Sequence, residues 1–204
     1  KEEYPMLNFQ GPQDDGSGAN GGNGGSPTGA GVPIGNPWAI PPEVENDIDP
    51  TQYLINYNEK FKSEQPTLFR DSVIQQTLSC LIGKFKPNAL LAGPAGVGKT
   101  KIVEDIARRI ANGDSLIPDQ LKEYTIWELP LSNIVAGSGL VGELERKTKG
   151  ILEFAQDPKN KVILFIDEIH VLIGESQTYD RIAQIMKPVL ARGNIKVIGA
   201  TTSQ

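Results

Sequence analysis

The chain has 204 residues, a formal net charge of −5, one cysteine and one histidine. It is long enough for one domain with a sizeable core plus a tail, and too short for two full domains. The acidic balance supplies no broad basic field for phosphates, which disfavours nucleic acid as the main partner. No stretch nears the roughly 18 consecutive apolar residues of a membrane span, and Lys1-Glu2-Glu3-Tyr4-Pro5 lacks an apolar signal core. These features predict no membrane association and a cytoplasmic location. The start lacks an initiator methionine, which reads as an internal position of a longer chain. Cys80 has no internal disulfide partner; set in an apolar helical pattern, it is expected as a small buried hydrophobe in a reducing compartment.

Residues 11–35 are dominated by Gly, Asn, Ser, Asp and Pro around Gly21-Gly22-Asn23-Gly24-Gly25. Too little apolar surface is available there to offset ordering entropy, so residues 1–36 read as a flexible linker. Asn36-Pro37-Trp38-Ala39-Ile40-Pro41-Pro42 is stiff, extended and partly apolar. It reads as a strap that docks on the domain or a neighbour, or as an ordered strap without chemistry, and with a short helix it fills residues 37–65. From Pro66 helix and strand signals alternate, the mark of an α/β domain with a parallel sheet between helices, spanning residues 66–204. Asp71 is a possible cap for a helix carrying Val73, Ile74, Thr77, Leu78, Leu81 and Ile82. A short apolar strand follows at 89–92. The next helix sets Ile102, Val103, Ile106, Ala107 and Ile110 on one face and stops at Asn112-Gly113. Further strands are expected at 125–129, 162–166 and 195–200, with helices near 143–155 and 179–190.

Gly93-Pro94-Ala95-Gly96-Val97-Gly98-Lys99-Thr100 fits the P-loop pattern G-x-x-x-x-G-K-[ST] between a buried strand and an amphipathic helix, where its chemistry needs it. Its glycines let backbone N–H groups curl around a β-phosphate, and the helix N-terminus adds partial positive charge. Lys99 reaches the β- and γ-phosphates, and Thr100 offers a hydroxyl to Mg²⁺. Val162-Ile163-Leu164-Phe165-Ile166 runs directly into Asp167-Glu168. Two carboxylates therefore sit at the C-terminal end of a buried strand, the edge where parallel sheets place ligands. Asp167 suits the Mg²⁺ shell and Glu168 suits orienting the water that attacks the γ-phosphate of ATP; a helix-capping acid pair is the structural alternative. His170 either tunes the site and reports its nucleotide state or is a hydrogen-bonded structural histidine, and no catalytic role is assigned to it. Thr201 and Thr202 close the last strand. A hydroxyl there bonds the water or the γ-phosphate, or else satisfies a turn.

Across residues 66–202 the chain resembles the Clp-type AAA+ unfoldases, specifically the first nucleotide-binding module of the ClpA and ClpB kind. The blocks that carry the resemblance are Arg70-Asp71, residues 88–103, Ile134-Val135-Ala136-Gly137 with Gly142-Glu143, residues 163–170 and 187–193, and Ile198-Gly199-Ala200-Thr201-Thr202. The resemblance implies an AAA+ large subdomain with strand order 5-1-4-3-2. It also implies a hexameric ring that binds ATP between subunits, a protein substrate threaded through the central pore, and the option of a partner protease. It makes Thr202 the sensor threonine, catalytic together with Lys99 and Glu168, and puts Thr67, Leu68 and Phe69 near the adenine. Phe69 stands where the family usually has glycine. Gly139, Leu140 and Val141 match the substrate-gripping pore loop, with Leu140 in the place of an aromatic, which offers less contact area and no ring stacking. The family's fifth strand, arginine finger and helical lid have no counterpart up to Gln204. The resemblance thus implies weak ATPase activity for these residues alone and an uncovered P-loop strand open to association.

Two other functions compete with an ATP-driven protein remodeller. One is an AAA+ ATPase acting on nucleic acid, as a loader or helicase accessory, against which the net negative charge argues. The other is a nucleotide-gated assembly scaffold, against which intact Lys99, Asp167 and Glu168 argue.

Overall fold

The computed structural model describes residues 48–67, 69–138, 141–172 and 177–202. The linker, the whole strap at residues 36–42, Leu68, Gly139 and Leu140 lie outside the described residues. In chain order the elements are β1 (Ile55–Asn56), α1 (Tyr57–Phe61), α2 (Asp71–Leu81), β2 (Asn88–Gly93), α3 (Lys99–Ala111) and β3 (Thr125–Glu128). They continue with α4 (Leu131–Val135), α5 (Val141–Gln156), β4 (Val162–Ile166), α6 (Gln177–Arg192) and β5 (Lys196–Thr202). Short 3-10 turns lie at Pro50–Tyr53, Asp119–Leu121 and Ile169–Leu172.

Local pattern accounts for most of these elements. All five residues of β4 are buried, as a central strand covered on both faces requires. α3 buries Ile102, Val103, Ile106, Ala107 and Ile110 and ends where Gly113 takes φ 65, a left-handed stop. α2 buries Ile74, Thr77, Leu78 and Leu81. That stripe turns position 80 away from the core, so Cys80 is exposed rather than the buried hydrophobe expected. Asp71 is also not a cap. Arg70 holds the N-cap position without a side-chain cap bond, and Asp71 is the first helical residue, its carboxylate engaged by Arg109.

The strands form one sheet in the order β1-β3-β4-β5-β2. β2, β5, β4 and β3 run parallel, which is 1-4-3-2 when strands are counted from the P-loop strand. The unforeseen part is β1, two residues paired antiparallel to β3 through Ile55↔Glu128 and Asn56↔Trp127, so the sheet is mixed. Asn58 holds this addition in place, donating from Nδ2 to the Tyr124 carbonyl and accepting from the Ile126 N–H, both at 3.0 Å.

Side chains alternate across the sheet into two cores. Ala89, Leu91, Ile126, Ile163, Phe165, Ile198 and Ala200 pack with α1, α2 and α3; Val162, Leu164, Ile166 and Val197 pack with α5 and α6. Burial of each large side chain contributes about 1.5–3 kcal/mol. Among the described residues β2 is an edge strand, as anticipated for the P-loop strand. Its Leu90 is 62% exposed between Ala89 at 8% and Leu91 at 9%.

Candidate functional site

The parallel strands bring their carboxyl ends to one edge of the sheet, and the polar loops collect there. β2 ends at Gly93, and the chain turns before Lys99 opens α3. The turn needs Gly96 at φ 78 and Gly98 at φ 89, backbone states that cost other residues roughly 1–2 kcal/mol. A Cβ on Gly96 would meet nothing within 4 Å, so the demand there is conformational and not steric. The loop delivers the chain to the N-terminus of a 13-residue helix, whose unpaired N–H groups and dipole make an anion seat.

Lys99 is buried, and its Nζ donates to the Gly93 and Pro94 carbonyls at 2.9 Å each. The ammonium thereby folds back over the start of its own loop. Thr100 Oγ1 donates to Asp167 Oδ2 at 3.0 Å, joining the first turn of α3 to the end of β4. The other carboxylate oxygen, Oδ1, accepts the Glu168 N–H at 2.9 Å. Glu168 itself sits at φ 49, a left-handed state costing a non-glycine residue about 1–3 kcal/mol, of the kind that collects at functional sites. Its Oε2 lies 3.0 Å from His170 Nδ1. In β5, Thr202 pairs in register with Gly93 and Thr201 with Ala92, so the strand end flanks the loop. A cleft of about 240 Å³ is bordered by Ala95, Gly96, Gly98, Lys99, Thr100, Lys101, Asp167 and Glu168.

The segment before α2 lies against this loop. Arg70 Nη2 donates to the Val97 carbonyl at 3.2 Å, and Thr67 Oγ1 donates to the Lys101 carbonyl at 3.4 Å. Phe69 is 97% exposed with φ 61. A backbone state that glycine adopts without strain is here imposed on phenylalanine, at the position where the resemblance has glycine.

Glu128, overlooked in the sequence, closes β3 opposite Phe165 and faces the same edge as Asp167. Burial raises its carboxyl above the ordinary range, and the nearby charges of Asp167 and Glu104 add to that, while Tyr57 and Lys60 pull the other way. Burial, together with Glu128, pushes the Tyr57 hydroxyl far above its usual range. A carboxylate ending a strand at the ligand-bearing edge was the available signal.

The sequence-predicted residues Lys99, Thr100, Asp167, Glu168 and Thr202 thus converge on one place, with Thr67 and Phe69 at its border. Gly139 and Leu140 are not described, and Val141 begins α5. The donor set fits a magnesium-bound polyphosphate: a hydroxyl and a carboxylate supply hard oxygens beside a lysine and a glycine loop at a helix N-terminus.

Fold and site together define a P-loop α/β domain of the nucleotide-binding class. The family model "ATPase family associated with various cellular activities (AAA)" matches residues 89–204, more than half of the chain, and the chain belongs to that family. It is 43% identical over 168 residues to the chaperone protein ClpB of Mycoplasmoides gallisepticum, covering 79% of this chain and 23% of that protein. To ClpB of Aquifex aeolicus it is 41% identical over 155 residues, covering 74% and 15%. Among solved structures, a closed-state cryoEM reconstruction of Hsp104 with ATPyS and FITC casein superposes with a TM-score of 0.67 at 38% identity, over 74% of this chain and 26% of that one. The S. cerevisiae Hsp104–ADP complex gives 0.65 at 37%, over 75% and 21%. The chain therefore spans about a quarter or less of the length of these relatives. It is a Clp-type AAA+ ATPase module, and these chaperones lend the nucleic-acid reading no support. No helix among the described residues is long and apolar enough to cross a membrane.

Proposed function

We propose that this module binds Mg·ATP and hydrolyses it to drive movement of a polypeptide through a ring of like subunits. The observation that carries the reading is the 3.0 Å contact between Thr100 Oγ1 and Asp167 Oδ2, which makes the loop and the acid pair one site.

The loop from Gly93 through Pro94, Ala95, Gly96, Val97 and Gly98 to Thr100 wraps the β-phosphate with backbone N–H groups, and Lys99 neutralises β- and γ-oxygens. Thr100 and Asp167 would hold Mg²⁺, which when bound would neutralise charge on the phosphate oxygens. Glu168 accepts a hydrogen bond from the attacking water and aligns it with the γ-phosphorus. Thr202, across from Gly93, donates to the γ-phosphate or the water. Thr67, Leu68 and Phe69 flank the adenine, and Arg70 fixes that segment to the loop through Val97. Gly139, Leu140 and Val141, the last of which opens α5, take the polypeptide-gripping role. Two structural relatives are complexes of Hsp104 with FITC casein and with casein, which supports a protein substrate; the same reading includes a hexameric homo-oligomer, a cytoplasmic setting, and release of the threaded chain or its passage to a partner protease.

The reading is tested by fluorescent-nucleotide binding and ATP turnover in wild type, Lys99→Ala and Glu168→Gln. Lys99→Ala is expected to lose nucleotide affinity. Glu168→Gln is expected to bind Mg·ATP normally and to lose on the order of 10²–10⁴ in turnover, the range for removing a general base. No affinity of the wild type for Mg·ATP ends the reading. Normal turnover in Glu168→Gln favours the scaffold.

A further inference from the structure

His170 is the only histidine in the sequence, and the fold places it between the two strand ends that the proposed reaction must coordinate. It lies in the 3-10 turn Ile169–Leu172, anchored by the Val171 N–H donating to the Glu168 carbonyl at 2.9 Å. His170 Nδ1 is 3.0 Å from Glu168 Oε2 and 3.2 Å from Thr201 Oγ1. The Thr201 hydroxyl in turn donates to the Thr202 carbonyl at 3.4 Å.

One proton assignment satisfies all three contacts. An ionised carboxylate accepts only, so Nδ1 must carry a proton to face Glu168. With its own proton on the Thr202 carbonyl, the Thr201 oxygen has lone pairs left to accept from that same Nδ1–H. A single N–H is therefore shared between Glu168 and Thr201, and stronger donation to one weakens donation to the other.

We propose that His170 and Thr201 are positioning residues, a hydrogen-bond relay that sets the Glu168 carboxylate according to the state of the strand end carrying Thr202. The proposal rests on the roles given above to Glu168 and Thr202. A contact that pulls on the Thr202 peptide changes its carbonyl, then the Thr201 hydroxyl, then the division of the Nδ1–H, and so the hold on Glu168. The side chains of Glu168 and His170 are each 49% exposed, and exposed pairs of this kind contribute little to folding. Removing the relay should alter Glu168 without altering the melting temperature.

Nuclear magnetic resonance of the ¹⁵N-labelled chain reads the relay directly, because a lone histidine yields one unambiguous pair of ring nitrogens. The expected result is a protonated Nδ1 whose signal moves in Thr201→Val and in Glu168→Gln, and which differs between Mg·ADP and a Mg·ATP analogue that resists hydrolysis. A neutral ring protonated on Nε2, or a signal indifferent to both substitutions, overturns the proposal. Kinetics give a second arm. His170→Ala and Thr201→Val should each lower kcat by on the order of ten-fold with KM for ATP little changed, and the double variant should be no worse than the worse single, as members of one relay behave. Thr201→Ser, which keeps the hydroxyl, and His170→Asn, which keeps an N–H near Nδ1, should restore most of the rate. A rise in KM equal to the loss in kcat/KM, or failure of both rescues, overturns it. A wild type with the expected ring signals but no affinity for Mg·ATP overturns the ATPase reading and leaves the relay contacts standing.

Discussion

Arg109 on α3 reaches Asp71 at the start of α2 through Nη2 at 2.6 Å while its Nε holds Asp105 Oδ2 at 2.9 Å. Arg109 is 7% and Asp105 2% exposed, and Arg108 Nε holds the other Asp105 oxygen at 2.7 Å. The network pins the residue after Arg70, whose own guanidinium bonds the P-loop at Val97. A buried arginine thereby links helix packing to the placement of the segment beside the nucleotide site.

Arg109→Ala should cost about 3 kcal/mol, the low end for breaking a buried ion pair, because Asp105 retains Arg108. Urea unfolding measures the loss. Nucleotide affinity should fall as well, through loosening of Thr67 and Arg70. A stability change within about 0.5 kcal/mol, the range of ordinary surface substitutions, would count against the network.

Glu128 sets a pH dependence. Its folded-state carboxyl titrates above the ordinary 4.5, so below that value both states are protonated and the residue is neutral in effect. As pH rises through the folded value, ionisation becomes more costly in the fold than in the unfolded chain, and stability is lost. Glu128→Gln should therefore melt higher than wild type at pH 7.5, roughly by a few degrees since the group is only half-buried, and the two curves should converge at acid pH. Equal melting temperatures across the range would contradict the burial argument.

Phe69 carries backbone strain without packing to offset it, with φ 61 and 97% exposure. Phe69→Gly removes a penalty of about 1–2 kcal/mol and adds roughly 0.5–1 kcal/mol of unfolded-state entropy. A net gain of up to about 1.5 kcal/mol is expected in chemical denaturation. Phe69→Ala, which keeps a Cβ, should show no such gain, and equal behaviour of the two variants would assign the effect to the ring instead.

Among the described residues β2 is an edge strand, which predicts self-association of this 204-residue chain. An exposed apolar side chain beside unpaired strand groups is an aggregation liability that charge relieves. Leu90→Lys should lower the concentration-dependent mass seen by light scattering while leaving Mg·ATP affinity unchanged, because Leu90 lies outside the cleft. Association unaffected by this change would place the contact elsewhere.

The P-loop was legible because its chemistry is local: eight consecutive residues hold both the glycines that take positive φ and the lysine and threonine that follow. Asp167-Glu168 was legible for a similar reason, since a short apolar run rich in β-branched and aromatic residues reads as a buried strand, whose carboxyl end faces the loops. The parallel strand order entered through family resemblance, while β1 left no trace because two residues show no alternation.

Sequence by itself determined most of the elements, β1 and α4 excepted, the nucleotide-binding class and the residues proposed for the phosphate end, all properties of short segments with a fixed period or turn. Tertiary structure alone decided that Arg109 meets Asp71 across 38 positions and that His170 meets Thr201 across 31. It also turned Cys80 outward and aimed Glu128 at the same edge as Asp167. These depend on strand register and on the rotation of one helix against another, which are set by the packing of both cores together and leave no mark on any single segment.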